Sequence, residues 1–260
     1  MVSINIFSDV KSLLQQGSPV NAEGNFIFSS NNITAGVDGR NLTVATSGSV
    51  AGGAIVFTGI DDASTGVLSL AGTVTVDTTL NSLVGANINL VASETGVGTI
   101  RSTGTGNTIL TVSAGGGDIQ VGNLSADNQI NTFTVSTGNE ISLNDLFVAG
   151  NTVDVKVTGN IDANGVIQDS VGDVGLLTTT GNISLTENLS SSGSLKLTAD
   201  GGMLTTKGVT SSGAIEVAID GNSGQFCEDR WNAFLNKYRG FGYGEQCNHK
   251  CWPVRHCCCN

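Results

Sequence analysis

The chain has 260 residues, a formal net charge of −11, 36 glycines, 13% charged and 5% aromatic residues. Residues 1–224 hold nineteen acids against six bases, so no basic stripe is present there for nucleic acid or an anionic bilayer. The same stretch has no Trp, Tyr, Cys or His, and its one proline is Pro19; the usual nucleophile–base pairs of hydrolytic enzymes are therefore missing from it.

Met1–Phe7 (MVSINIF) is too short for the apolar region of a secretion signal and lacks a basic lead. No apolar run approaches the ~18 residues that a bilayer-crossing segment needs. Ser8–Gly17 predicts one short helix, with Ser8 or Asp9 as cap, Val10, Leu13 and Leu14 on one face, and Gly17 as stop. Residues 1–24 read as a lead-in to a longer solenoid rather than as a free domain terminus, and Phe26, Phe28 and Ile33 begin a strand pattern.

From residue 25 to 224 the chain is written in short alternating runs separated by Gly, Ser, Asn and Asp. Ile183-Ser-Leu185, Leu195-Lys-Leu197 and Ile215-Glu-Val217 each place two apolar side chains on one face, the period-two mark of a half-buried strand. Comparable triplets begin at Leu42, Leu68, Ile88, Leu110, Phe133, Val155, Leu176, Leu195 and Ile215. A second series begins at Ile55, Val74, Ile100, Ile119, Ile141, Ile161, Ile183 and Leu204. Both recur at about 21 residues, an interval in the range of solenoid repeats. With strands in each unit, the expected fold is all-β: a parallel β-helix of about nine coils, a rod on the order of 45 Å at ~4.8 Å per coil. Leu42, Leu68, Leu110, Phe133, Val155, Leu195 and Ile215 are expected to form one internal file, and Ile119, Ile141, Ile161 and Ile183 another.

Few residues in the repeat invite a chemical role. Gly-Asn pairs recur at Gly106-Asn107, Gly122-Asn123, Gly138-Asn139, Gly150-Asn151, Gly159-Asn160 and Gly181-Asn182. Asn tolerates left-handed backbone and stacks into amide ladders, so a structural reading is preferred over ligand or Ca²⁺ binding. Gly115-Gly-Gly-Asp118 does not fit the calcium-binding nonapeptide pattern. The glycosylation triplets at Asn32, Asn41, Asn123, Asn182 and Asn188 follow from a vocabulary rich in Asn, Ser and Thr. Asp61-Asp62 falls in a turn, and Asp169 with Asp173 flanks a loop. Sugar-cleaving β-helices gather carboxylates, Arg and aromatics along one groove, whereas this body has only Arg40 and Arg101 with scattered acids. No catalytic, cofactor-binding or metal-binding residue is assigned, and no cofactor is expected.

Stretches such as GNISLTENLSSSGSLKLTADGG and GANINLVASETGVGTIRSTGTGN resemble the coils of filamentous-haemagglutinin-type adhesins, bacterial exoproteins of two-partner secretion, with similar autotransporter passengers. The resemblance covers about residues 20–224. It implies a right-handed parallel β-helix, secretion to the bacterial cell surface as part of a longer parent chain, and attachment to host-cell, matrix or bacterial surface ligands. The family's secretion domain with its Asn-Pro-Asn-Gly motif is absent here, as is any Arg-Gly-Asp, so no binding residue carries over. A β-helical carbohydrate-active enzyme (lyase or glycosidase) and a purely structural stalk are the competing expectations.

After Gln225 the vocabulary changes. All six Cys, both Trp, both Tyr and both His fall in residues 225–260. Three readings compete for this irregular Cys-rich tail. Cys247, Cys251, His256 and Cys257 to Cys259 match no standard zinc-ligand spacing. A disulfide-bonded end cap suits an exported solenoid. The preferred reading is a shifted reading frame, since the codons of Gly244–Trp252 read one base later permit Gly-Ser-Asn-Val-Thr-Ile-Asn-Ala-Gly, a coil of the solenoid.

Overall fold

The computed structural model describes residues 4–7, 20–23, 26–29, 32–35, 41–47, 54–58, 67–80, 84–90, 97–103, 106–220, 225–231, 237–238 and 251–253. Every regular element among them is a β-strand. The alternation that marks strands in the sequence is realised as burial. In Ile183–Ser191 the side chains of Ile183 and Leu185 are buried with Ser184 half-exposed between them, and Leu195 and Leu197 flank the exposed Lys196 in Leu195–Asp200. Branched and long apolar side chains on one edge of each strand thus share a dry interior.

The strands stack as a parallel β-solenoid with three strands to the coil. One sheet aligns Ile88, Ile119, Ile141, Ile161, Ile183 and Leu204 in direct parallel register. A second aligns Leu68, Ile100, Leu124, Leu146, Ile167, Leu189 and Val209. The third aligns Leu42, Val74, Leu110, Phe133, Val153, Val174, Leu195 and Ile215. All these side chains are at most 3% exposed and belong to one continuous core. Among the described residues, Phe133 and Phe57 are the aromatic members of that core and are among its largest fully buried side chains.

Residues 106–220, described without a break, make about five turns. The expected total of nine coils runs over stretches outside the described residues, and so does the helix expected over Ser8–Gly17. The parallel pairing recurs towards the amino end, where Ile4–Phe7 pairs with Phe26–Ser29 and that strand with Ile55–Thr58. At the other end Gln225–Trp231 lies parallel to Leu204–Ser211, placing Phe226 opposite Leu204 and Trp231 opposite Val209. Cys251–Pro253 then pairs with Gln225–Trp231, and this is the one antiparallel pairing among the described residues.

The file expected through Ile119, Ile141, Ile161 and Ile183 is borne out residue by residue. The longer file is corrected at two members. Leu42, Leu110, Phe133, Leu195 and Ile215 share the third sheet, but Leu68 sits in the second. Val155 lies one inward position along the strand, between Val135 and Leu176. The cause is coil length. The first sheet steps from Ile55 to Ile88 to Ile119 over 33 and 31 residues, then from Ile119 to Leu204 by 22, 20, 22 and 21. A single 21-residue frame carried into the longer coils therefore lands on a neighbouring sheet.

Candidate functional site

The polar residues that recur along the chain gather at the three corners of the coil. Before three of the first-sheet strands, a side-chain oxygen of one coil accepts a backbone N–H from the next. Asn87 Oδ1 accepts from the Asp118 amide at 2.9 Å, Asn160 Oδ1 from Asn182 at 2.9 Å, and Asn182 Oδ1 from Met203 at 2.8 Å. The rungs between them run side chain to side chain: Asn139 Nδ2 donates to Asp118 Oδ1 at 2.8 Å, and Asn160 Nδ2 to Glu140 Oε1 at 3.1 Å. Before the second sheet, Asn123 Oδ1 accepts from the Asp145 amide and Asp145 Oδ1 from the Val166 amide. Before the third, Asn131 Oδ1 accepts from Thr108 and Asp173 Oδ1 from Ser194.

A corner interrupts the strand ladder and leaves amides that need acceptors. A short amide or carboxylate side chain reaches such an amide across one coil spacing, which is why Asn and Asp collect there. The preferred structural role of the Gly-Asn pairs is seen at Asn123, Asn139, Asn160 and Asn182, while Asn107 and Asn151 are exposed. Asn87 and Asp145 are ladder members that sequence reasoning did not single out, and Asp118 was named only as the acid of a glycine turn. Their signal was an Asn or Asp immediately before an inward apolar residue.

The other residues considered for chemistry are dispersed. Arg101 lies on the outer side of the second sheet, its Nε donating to Ser69 Oγ at 3.1 Å. Arg40 and Asp61-Asp62 lie outside the described residues, as do Cys247, His256 and Cys257 to Cys259; Cys251 is placed only as a strand residue. Asp169 and Asp173 stand at the two ends of one corner but act separately. Asp169 is 1% exposed, and its Oδ1 accepts the amides of Val171 and Gly172 at 2.9 and 2.7 Å. It occupies an inward position between Val148 and Ser191, and its Oδ2 has no hydrogen-bond partner. Asp118, the acid of the Gly115–Asp118 turn, is held by the amide ladder. Asn188 is exposed; the side chains of Asn32 and Asn41 lie outside the described residues. Among the described residues no three His, Cys, Asp or Glu side chains form a metal-binding group.

No family model, curated protein or solved structure matches this chain. What the chain itself offers to a partner is its outer surface. Outward side chains fall into columns because each coil repeats the register of the last. The first sheet presents Asn89, Gln120, Ser142, Asp162, Ser184 and Thr205 in one line. The third presents Thr43, Thr75, Thr111 and Thr134, continued by Asp154, and beside it Thr73, Ile109, Thr132 and Thr152, continued by Asp173. Exposed ion pairs follow at Lys156–Asp154 (2.7 Å), Lys196–Glu216 (3.6 Å) and Lys207–Glu187 (2.6 Å). Such exposed pairs add little to stability, so their main effect is to set surface charge.

Proposed function

We propose that the chain is a non-enzymatic repeat segment of a secreted, cell-surface β-helical adhesin, serving attachment or acting as a stalk. The observation that carries this reading is the register itself. Coil follows coil along one axis, so each added coil lengthens the rod and extends the same polar columns. A solenoid of this kind presents a long repetitive surface and holds whatever lies beyond it at a distance. The partners are surface ligands of host cells, matrix or other bacteria, protein or glycan, and export follows the two-partner or autotransporter-like route of the proteins it resembles. The acid excess of residues 1–224 favours solubility of an extended rod and does not favour nucleic acid. Among the described residues no helix is long and apolar enough to cross a membrane.

Beads coated with the purified chain test the attachment role against cultured epithelial cells, matrix proteins and bacterial surfaces. Saturable retention, competed by free chain, supports it, and retention equal to uncoated beads leaves the stalk role. Turnover of pectin or another polysaccharide, abolished by replacing one Asp or Glu, would replace the reading with the enzymatic one.

A further inference from the structure

We propose that the threonine-bearing outer face of the third sheet is an ice-binding surface, whose ligand is the ordered water lattice of an ice crystal. The inference goes beyond the attachment reading and does not depend on it. Its first support is two-dimensional order. Thr75, Thr111 and Thr134 are direct register partners on successive coils, and Thr73, Ile109 and Thr132 line up beside them without a register shift between the two columns. Neighbours repeat at about 4.8 Å up the stack and about 6.7 Å along the strand. Repeats of similar size in two directions are a property of the oxygen positions on ice faces, and a protein partner without stacked coils has no such lattice.

The second support is rigidity. The residues between the two columns, Val74, Leu110, Phe133 and Val153, are all at most 1% exposed and anchor the strands from within. Threonine is stiff at χ1, so hydroxyl and methyl are held in place before any ligand arrives and little ordering cost remains at binding. The third support is the absence of charge within the two columns from Thr73 to Thr152; Asp77, the next outward residue beyond Thr75, has its Oδ1 engaged by the amide and hydroxyl of Thr79. A charged group orders liquid water around itself and mismatches a neutral lattice. The columns end where Asp154 and Asp173 take over. The first sheet offers no equivalent, because its single outward line mixes amides, hydroxyls and Asp162. The exposed large apolar side chains among the described residues, Val84, Val97, Val171 and Met203, all lie off the third-sheet strands, so hydrophobic docking does not explain this face.

The test uses the full chain, fluorescently labelled, in a solution from which an ice hemisphere is grown slowly. The chain is expected to be enriched in the ice relative to a labelled control protein that ice excludes. Thr111→Lys, at the centre of the array, is expected to lower the enrichment about tenfold by introducing a long charged side chain against the lattice. Thr205→Lys, outward on the first sheet, is expected to leave it unchanged. Circular dichroism reports whether each variant folds, and Thr134→Tyr replaces Thr111→Lys if the latter does not. Exclusion of the wild-type chain from ice, or equal loss in Thr205→Lys, overturns the proposal. Equal adsorption to crystalline cellulose in liquid water also overturns it, since the face would then adhere to ordered hydroxyl surfaces in general.

Discussion

Asn182 Oδ1 accepts the backbone N–H of Met203 at 2.8 Å, joining two residues 21 positions apart at the same corner of adjacent coils. The bond closes a gap in the strand ladder, so one side chain supplies an acceptor that secondary structure cannot. Asn182→Ala removes it and is expected to cost about 1 kcal/mol, the net worth of a hydrogen bond near solvent. Asn182→Asp keeps the acceptor and should lose less. Urea denaturation of the two variants checks the order, and equal midpoints for alanine and wild type would refute a role for the ladder in stability.

The glycine beside it is fixed by contact rather than by conformation. A Cβ on Gly181 would lie 2.2 Å from the carbonyl carbon of Gly159 in the preceding coil, and that atom is backbone, with no side chain to move aside. Gly181→Ala is therefore expected to prise two coils apart and cost about 2–3 kcal/mol. The thermal midpoint reads the effect. A variant as stable as wild type would mean that coils can separate here freely.

Val155 is fully buried between Val135 and Leu176. Val155→Asp places an unpaired charge among apolar neighbours, which costs several kcal/mol. Because each coil touches only those beside it, the damage should be local. Hydrogen exchange is expected to rise in Ile130–Thr137 and Asp173–Thr178 before it rises in Ile215–Asp220. Uniform loss of protection along the rod would show instead that the coils unfold as one unit.

Gln225–Trp231 pairs with Leu204–Ser211 and covers a strand edge that otherwise exposes unpaired amides and carbonyls. If this strand is a native end cap, truncation after Gly224 lowers the thermal midpoint and promotes self-association through that edge, whereas the preferred shifted-frame reading expects neither. A truncated chain as stable and as monomeric as the parent would favour the shifted-frame origin of residues 225–260. Sequencing the locus then decides between the two, by the presence or absence of a solenoid-coding frame one base away.

The parallel β-solenoid was legible in the residues because period-two alternation and a recurring interval survive any rearrangement of loops. The file Ile119, Ile141, Ile161 and Ile183 was readable for the same reason, since its steps stay within two residues of one another. The strands of the second sheet from Leu124 onward were not. Asn123–Leu124 offers one inward side chain, and a single buried Leu carries no alternation to detect. The corner ladders also needed the fold, because an Asn beside a Gly names its acceptor oxygen but not the amide about 21 residues on that it will meet. Asp169 shows the limit most plainly. Composition placed it beside a loop, as acids usually are, whereas stacking put it between Val148 and Ser191 inside the solenoid. Burial of a carboxylate depends on which coil lies above and below it, and only the tertiary register sets that.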